Sequence, residues 1–354
     1  MIYFSCKGNN FPQKRTLFKK DFVFLRPMSE LTINIYTNPS HLPKGLCEQN
    51  IFHSTQYFLL AKKTPRLKPF MVTVETSDGT IIAQMLALIR YRASWIPPYL
   101  YRHCMILGEG VYHPDYVEQK ADFFGMMLEQ LTAKIGRWTL YIEISHLSSK
   151  MFAYKQLREH HYFPVRWNSI HNSLHSRTPE ERINERLLQR IKSSYRRGVI
   201  TDEVKTEADF QSFMKLMRRH NRLKPKRYIP ADEFFKGLHE SENGCLYITR
   251  YHGHIIGCSA LVYSENQAYL WYAAYRRKTF AFLHPDDITI WHAIKDSHAK
   301  GYEHIYFMDV GLPFRKNAFR EFLLRFGGKP TSSYRWFHCT IGWINSLLSW
   351  FYRD

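Results

Sequence analysis

Two carboxylates stand where a chain would put them to handle a proton. Asp309 closes the strand-like run His304-Ile305-Tyr306-Phe307-Met308-Asp309, and Glu143 closes Trp138-Thr139-Leu140-Tyr141-Ile142-Glu143. A carboxylate at the end of a buried strand, facing a crevice, can orient or deprotonate an ammonium. The plainer alternative for Asp309 is a turn cap ahead of Val310-Gly311, because Asp bonds nearby turn amides readily. Glu143 is either a binding residue or a strand-end carboxylate.

A second constellation is cationic. Lys192, Arg196 and Arg197 join Arg222, Lys224, Lys226 and Arg227 to set seven cations about one junction, and residues 210–231 contain no acid to neutralise them. A solvated basic face is the ordinary reading of such a run, but missing local neutralisation favours a bound anion. Charge-assisted bonds to a diphosphate would be strong there, and a nucleotide-linked or lipid-linked sugar fits that chemistry. The six cysteines form no CxxC pair and point to neither a zinc site nor a disulfide framework. His171 and His175 have the neatest ligand spacing, yet no carboxylate or cysteine set accompanies them, so no metal site is expected.

The elements that must position these groups come as an internal repeat about 170 residues apart. Phe70–Glu75 alternates as a strand, Asp78-Gly79 turns, and Ile81–Arg90 returns; Cys245–Tyr251, His252-Gly253 and Ile255–Tyr263 do the same. Gly79-Thr80-Ile81-Ile82-Ala83 matches Gly253-His254-Ile255-Ile256-Gly257 nearly letter for letter. Amphipathic helices then follow at Tyr116–Ile135 and Asp287–Lys300, ending at Gly136 and Gly301. Each copy continues with its carboxylate-ended strand, a short helix (Leu157–Phe163 and Phe319–Phe326) and a further strand. The expected fold class is therefore α/β in the α+β sense, with each copy a mixed, mostly antiparallel sheet flanked by helices.

This divides the chain into a first domain at 31–178, a basic amphipathic linker helix at 179–198, a second domain at 199–335 and an apolar C-terminal helix at 336–354. Residues 1–30 are a basic extension outside the fold, either upstream of a start at Met28 or an arm for an anionic partner. The formal charge of +19 draws the surface toward phosphates, nucleic acid or an anionic membrane face. No apolar run reaches the roughly 18 residues that span a bilayer, so a cytoplasmic protein is expected. The tryptophan-rich C-terminal helix either caps the second domain or touches the inner membrane face from the periphery.

Two such units joined by a basic helix ending Arg196-Arg197-Gly198-Val199 resemble the Fem-type peptidyltransferases of the GNAT superfamily. The likeness spans roughly 32–335 and rests on Arg190 to Val199, on Arg227-Tyr228-Ile229-Pro230, and on Phe307-Met308-Asp309-Val310-Gly311 with Phe322 to Gly328 behind it. It implies two tandem GNAT-like acyltransferase folds and transfer of an acyl or aminoacyl group to an amine on a phosphorylated sugar or peptide acceptor. The donor would be aminoacyl-tRNA or acyl-CoA, arriving as a co-substrate with no tightly bound cofactor. Asp309 would be catalytic, with Lys192, Arg196, Arg197, Arg227, Tyr228 and Glu143 binding substrate. Leu323 stands where the family usually has a lysine near the reacting ester, and Lys316 or Arg325 would replace that charge. The superfamily's glycine-rich diphosphate loop is replaced by Arg276-Arg277-Lys278-Thr279-Phe280-Ala281, with Gly108-Glu109-Gly110 a weaker candidate in the first copy. An acetyl-CoA-dependent N-acyltransferase and a catalytically silent RNA- or tRNA-binding protein are the alternatives.

Overall fold

Each copy of the repeat folds as an antiparallel meander that passes through a helix into a parallel strand. The computed structural model describes residues 31–93, 97–136, 139–222, 228–308, 310, 312 and 316–352. The N-terminal extension and the expected functional residues Asp309, Lys224, Lys226 and Arg227 lie outside these described residues.

In the first copy, β1 (Thr32–Tyr36) and α1 (Thr55–Lys63) lead to the hairpin of β2 (Leu67–Glu75) and β3 (Ile81–Ala93). Then come β4 (Leu100–Leu107), the short β5 (Val111–Tyr112), α2 (Lys120–Ile135), β6 (Tyr141–Ser145), α3 (Tyr154–Glu159) and β7 (Phe163–Ser173). Gly79 turns the hairpin at φ 82°, a conformation open to glycine because it lacks a Cβ. The second copy repeats the plan with β8 (Ile200–Glu203), α6 (Glu207–Asn221), α7 (Asp232–His239), β9 (Gly244–Tyr251) and β10 (His254–Ser264). It closes with β11 (Gln267–Tyr275), α8 (Pro285–Ala299), β12 (His304–Phe307), α9 (Ala318–Leu324) and β13 (Lys329–Cys339). Beyond the strands of the predicted repeat, each copy adds a leading strand, β1 and β8, and a third meander strand just before the long helix, β4 and β11, and the first copy also adds the short β5.

All of these strands join one sheet in the order β1-β2-β3-β4-β6-β13-β7-β12-β11-β10-β9-β8, with β5 on β3. The copies exchange their last strands: β7 pairs with β12 of the second copy, and β13 inserts between β6 and β7. The C-terminal helix α10 therefore starts at Gly342 and ends at Phe351, and Trp336 belongs to strand β13 rather than to that helix. Its indole is fully buried among first-copy side chains such as Phe124, Ile142 and Leu157, which is why the segment pairs as a strand.

The linker also differs from one continuous helix. It breaks into α4 (Pro179–Arg182) and α5 (Glu185–Arg196), because Asn184 takes an extended conformation and its side chain caps α5 by accepting from Leu187 N. Ile183, Leu187 and Ile191 face inward as the spacing predicts. One apolar core spans both copies: Phe52, Phe58 and Leu88 of the first pack in the same cluster as Phe213, Phe234 and Trp271 of the second. The two copies are thus held as one body around their seam.

Candidate active site

Alternation along β3, β4, β6, β13 and β7 sends one set of side chains to the face at the seam. There they enclose a cavity of about 590 Å³, whose floor carries Arg90, Arg92, Glu143 and Arg335 and whose walls include Trp167, Tyr228, Trp271 and Phe337. A second opening of about 450 Å³ adjoins it and shares Leu107, His146, Trp167, Met308 and Arg335.

The floor is a linear charge relay across four strands. Arg90 Nε donates to His103 Nδ1 at 3.2 Å, leaving the ring's proton on Nε2, which faces Glu143 Oε2 at 3.0 Å. Arg335 donates to the other carboxylate oxygen at 2.9 Å and lies 4.0 Å over the Trp167 ring. Tyr141 stacks on His103 with ring centroids 4.2 Å apart, and Arg90 lies 5.0 Å over Tyr228. Register makes this possible: Arg90 sits directly opposite His103, and His103 beside Tyr141.

The protonation states follow from the neighbours. Burial works to raise the Glu143 pKa, but the His103 bond and the Arg335 charge outweigh it and hold the carboxyl well below the usual carboxylate range. Burial, then the Arg90 charge, pushes His103 down to about 4 against the pull of Glu143, so the imidazole is neutral at pH 7. Two guanidinium groups against one carboxylate leave the relay one positive charge in excess, and Arg92 adds a second. An aromatic-walled pocket with surplus positive charge selects an anion.

The expected residues distribute unevenly. Glu143 and Tyr228 meet in the cavity. Both oxygens of Glu143 are occupied by protein partners, so it positions Arg335 and His103 rather than meeting a ligand directly. Lys192 and Arg196 are exposed on α5, and Arg197 donates to the Phe282 carbonyl at 2.9 Å, beside the start of α8 and away from the cavity floor. Lys316 is exposed just ahead of α9, one residue before the cavity-lining Asn317, and Arg325 is exposed at the end of that helix, packed on Phe322. Arg90, Arg92, His103 and Arg335 were not anticipated. The one sequence signal for them is Arg90 and Arg92 at period two on the end of an apolar strand.

Neither glycine-loop position forms a phosphate cradle. The Gly108 amide donates to the Ser145 carbonyl at 2.8 Å and the Gly110 amide to His53 at 3.1 Å, while Glu109 accepts from Ser148 N at 2.7 Å. At the N-terminus of α8, where a diphosphate would seek backbone amides, the chain buries Asp286 and Asp287, held 3.3 Å from Arg277 and 3.0 Å from Arg190. Burial and the adjacent Asp286 push Asp287 up to about 6. Two acids, each paired with an arginine, thus occupy this helix start. His171 and His175 both pack against the His304 ring, and no group of three potential ligands occurs among the described residues.

β11 outruns β12: their pairing stops at Leu270–Phe307, and Trp271–Tyr275 continue without that partner. Trp271 and Tyr272 of this stretch line the seam cavity. Tyr275 at its end lines a separate cleft of about 560 Å³ bordered by Arg219, Arg276, Arg277 and Lys278.

Residues 182–316 match the family model described as an acetyltransferase (GNAT) domain. No curated protein sequence matches the chain. Among solved structures, FemX superposes with a TM-score of 0.58 at 11% identity, covering 85% of this chain and 94% of FemX. L-PGS from Bacillus licheniformis gives 0.53 at 11% identity over 80% and 90%. A tandem GNAT protein from the clavulanic acid biosynthesis pathway gives 0.51 at 9% identity over 88% and 99%. The chain shares its overall fold with these structures, one of them a tandem GNAT protein, and its residues 182–316 match an acetyltransferase (GNAT) domain.

Proposed function

We propose that the chain transfers an aminoacyl group to an amine on a phosphorylated cell-envelope precursor held in the seam cavity. The observation that carries this reading is the surplus positive charge of a pocket formed by both copies, with Arg90, Arg92 and Arg335 set among aromatic walls. Phosphate or carboxylate groups of the acceptor would meet these guanidinium groups, and sugar or peptide surfaces would pack on Trp167 and Tyr228.

The donor would lie along the cleft with Arg219, Arg276, Arg277 and Lys278. That cationic border suits a nucleic-acid backbone. Lys192, Arg196 and Arg197 on α5 would serve the donor too. The acceptor nitrogen attacks the ester carbonyl, the new C–N bond forms, the C–O bond to the ribose breaks, and the ammonium proton passes to a base. Asp309, next in the chain to the cavity-lining Met308, is assigned that role.

Incubation with charged tRNA, acyl-CoA and a panel of nucleotide-linked sugar peptides, read by mass spectrometry, tests the proposal. An aminoacyl mass added to an acceptor only when charged tRNA is present supports it, with Asp309→Asn slowing turnover by about two orders of magnitude. Acyl addition from CoA alone would replace it with the N-acyltransferase reading.

A further inference from the structure

Helix α10 is apolar on its outward face as well as on its inward one, where Ile344 and Leu348 are half-buried. Its inward residue Asn345 is buried, accepts from Cys339 N at 2.8 Å and donates to the His161 carbonyl at 2.9 Å. Its outward face is apolar: Trp343, Leu347, Trp350 and Phe351 are 72%, 55%, 63% and 70% exposed. The spacing of four, three and one sets these four on one stripe of the helix. A helix in water ordinarily turns this stripe inward, so an outward one marks a surface made for another apolar phase.

The sheet extends the patch. Leu140 N donates to the Arg102 carbonyl and Thr340 N to the Leu140 carbonyl, so the start of β4 and the lead-in to α10 flank one residue. This brings Leu100, 77% exposed, and Tyr99, 64% exposed, to the same end of the sheet as Trp343. Arg92 and Arg102 lie at this end as well, since β3 pairs Arg92 with Tyr101 and Tyr91 with Arg102. Residues 91–93, 99–102, 139–141, 160–163 and 338–352 contain no acid.

We propose that this end of the sheet, with α10 at its centre, docks on an anionic lipid bilayer. Tryptophans and leucine on an in-plane helix suit the headgroup boundary, and an acid-free margin on a chain of charge +19 complements a negatively charged surface. Among the described residues no helix is long and apolar enough to cross a membrane, so the contact is one of lying on the surface. The surface stands on its own geometry, whatever the chain transfers.

The test is sedimentation of the full chain with vesicles of equal phosphatidylglycerol and phosphatidylcholine, and with phosphatidylcholine vesicles alone. The chain is expected to pellet with the anionic vesicles and to be released by salt. The combined variant Trp343→Ser, Leu347→Ser, Trp350→Ser should need at least ~100-fold more lipid for half-binding, with its circular dichroism and unfolding midpoint preserved because all three side chains are exposed. A wild-type chain that ignores anionic vesicles, or a variant that binds them equally well, overturns the proposal. So does a wild-type dimer in light scattering that the variant dissolves while neither form binds lipid, which would make the patch a contact between copies.

Discussion

Replacing Glu143 by Gln removes the one negative charge from the cavity floor and keeps its shape. In the native chain this carboxylate takes a charge-assisted bond from Arg335 at 2.9 Å and faces the His103 proton at 3.0 Å, with its side chain only 10% exposed. An amide oxygen can still accept one of these bonds. The change is thus from charged to neutral bonding, about 1–1.5 kcal/mol for each of two contacts, or roughly 2–3 kcal/mol in total. That lies below the penalty of roughly 3–5 kcal/mol for deleting a partner of a buried pair outright, because Arg335 keeps its stack on Trp167. The stabilisation belongs to a carboxyl whose pKa is depressed in the folded chain. It is fully present above the unfolded carboxylate range, near pH 5, and is lost only as pH falls through the much lower folded value. Urea denaturation of both proteins should show the 2–3 kcal/mol gap at pH 7, unchanged at pH 5.5 and narrowing below about pH 4. Equal stabilities at pH 7, or a gap that vanishes between pH 7 and 6, would refute the relay.

Three further outcomes follow from the same geometry. His53 and His103 are fully buried and both held down to about 4, chiefly by burial, so the unfolded chain binds more protons below pH 6.5. Each should withdraw about 3 kcal/mol of stability as pH falls from 6.5 to 4, and a flat denaturation midpoint over that interval would contradict their neutral burial. Gly257→Ala should destabilise by about 1–3 kcal/mol, since a Cβ there would meet Thr289 Oγ1 at 2.1 Å and press α8 off β10; an unshifted thermal midpoint would show the helix yields freely. Lys192→Ala with Arg197→Ala should raise the Michaelis constant for the acyl donor and flatten its salt dependence by about one to two units of slope, whereas an effect confined to the acceptor would return α5 to the seam.

The sequence made the duplication plain because hairpins, amphipathic helices and their glycine ends are local signals. The Asp78-Gly79 and His252-Gly253 turns, and the strands around them, fold as their alternation predicts. Exchange of the last strands was not legible, since nothing in Phe163–Ser173 or Lys329–Cys339 states which sheet receives it; pairing is settled by burial of Trp336 against the first copy. The same gap hid the relay. Arg90 and His103 are 13 residues apart and Glu143 and Arg335 are 192 apart, so they meet only through register across β3, β4, β6 and β13. The cation count about α5 was visible, but a helix places its charges by face, and Arg197 turned to the Phe282 carbonyl beside the start of α8 rather than to the cavity.

The central claim is that the seam cavity, and not the basic helix, receives a phosphorylated acceptor. Calorimetric titration of a nucleotide-diphosphate sugar into the native chain and into Arg92→Gln measures this directly. Saturable binding that weakens at least ~10-fold in the variant is predicted from the loss of one charge-assisted contact. Identical binding in both proteins would contradict the account.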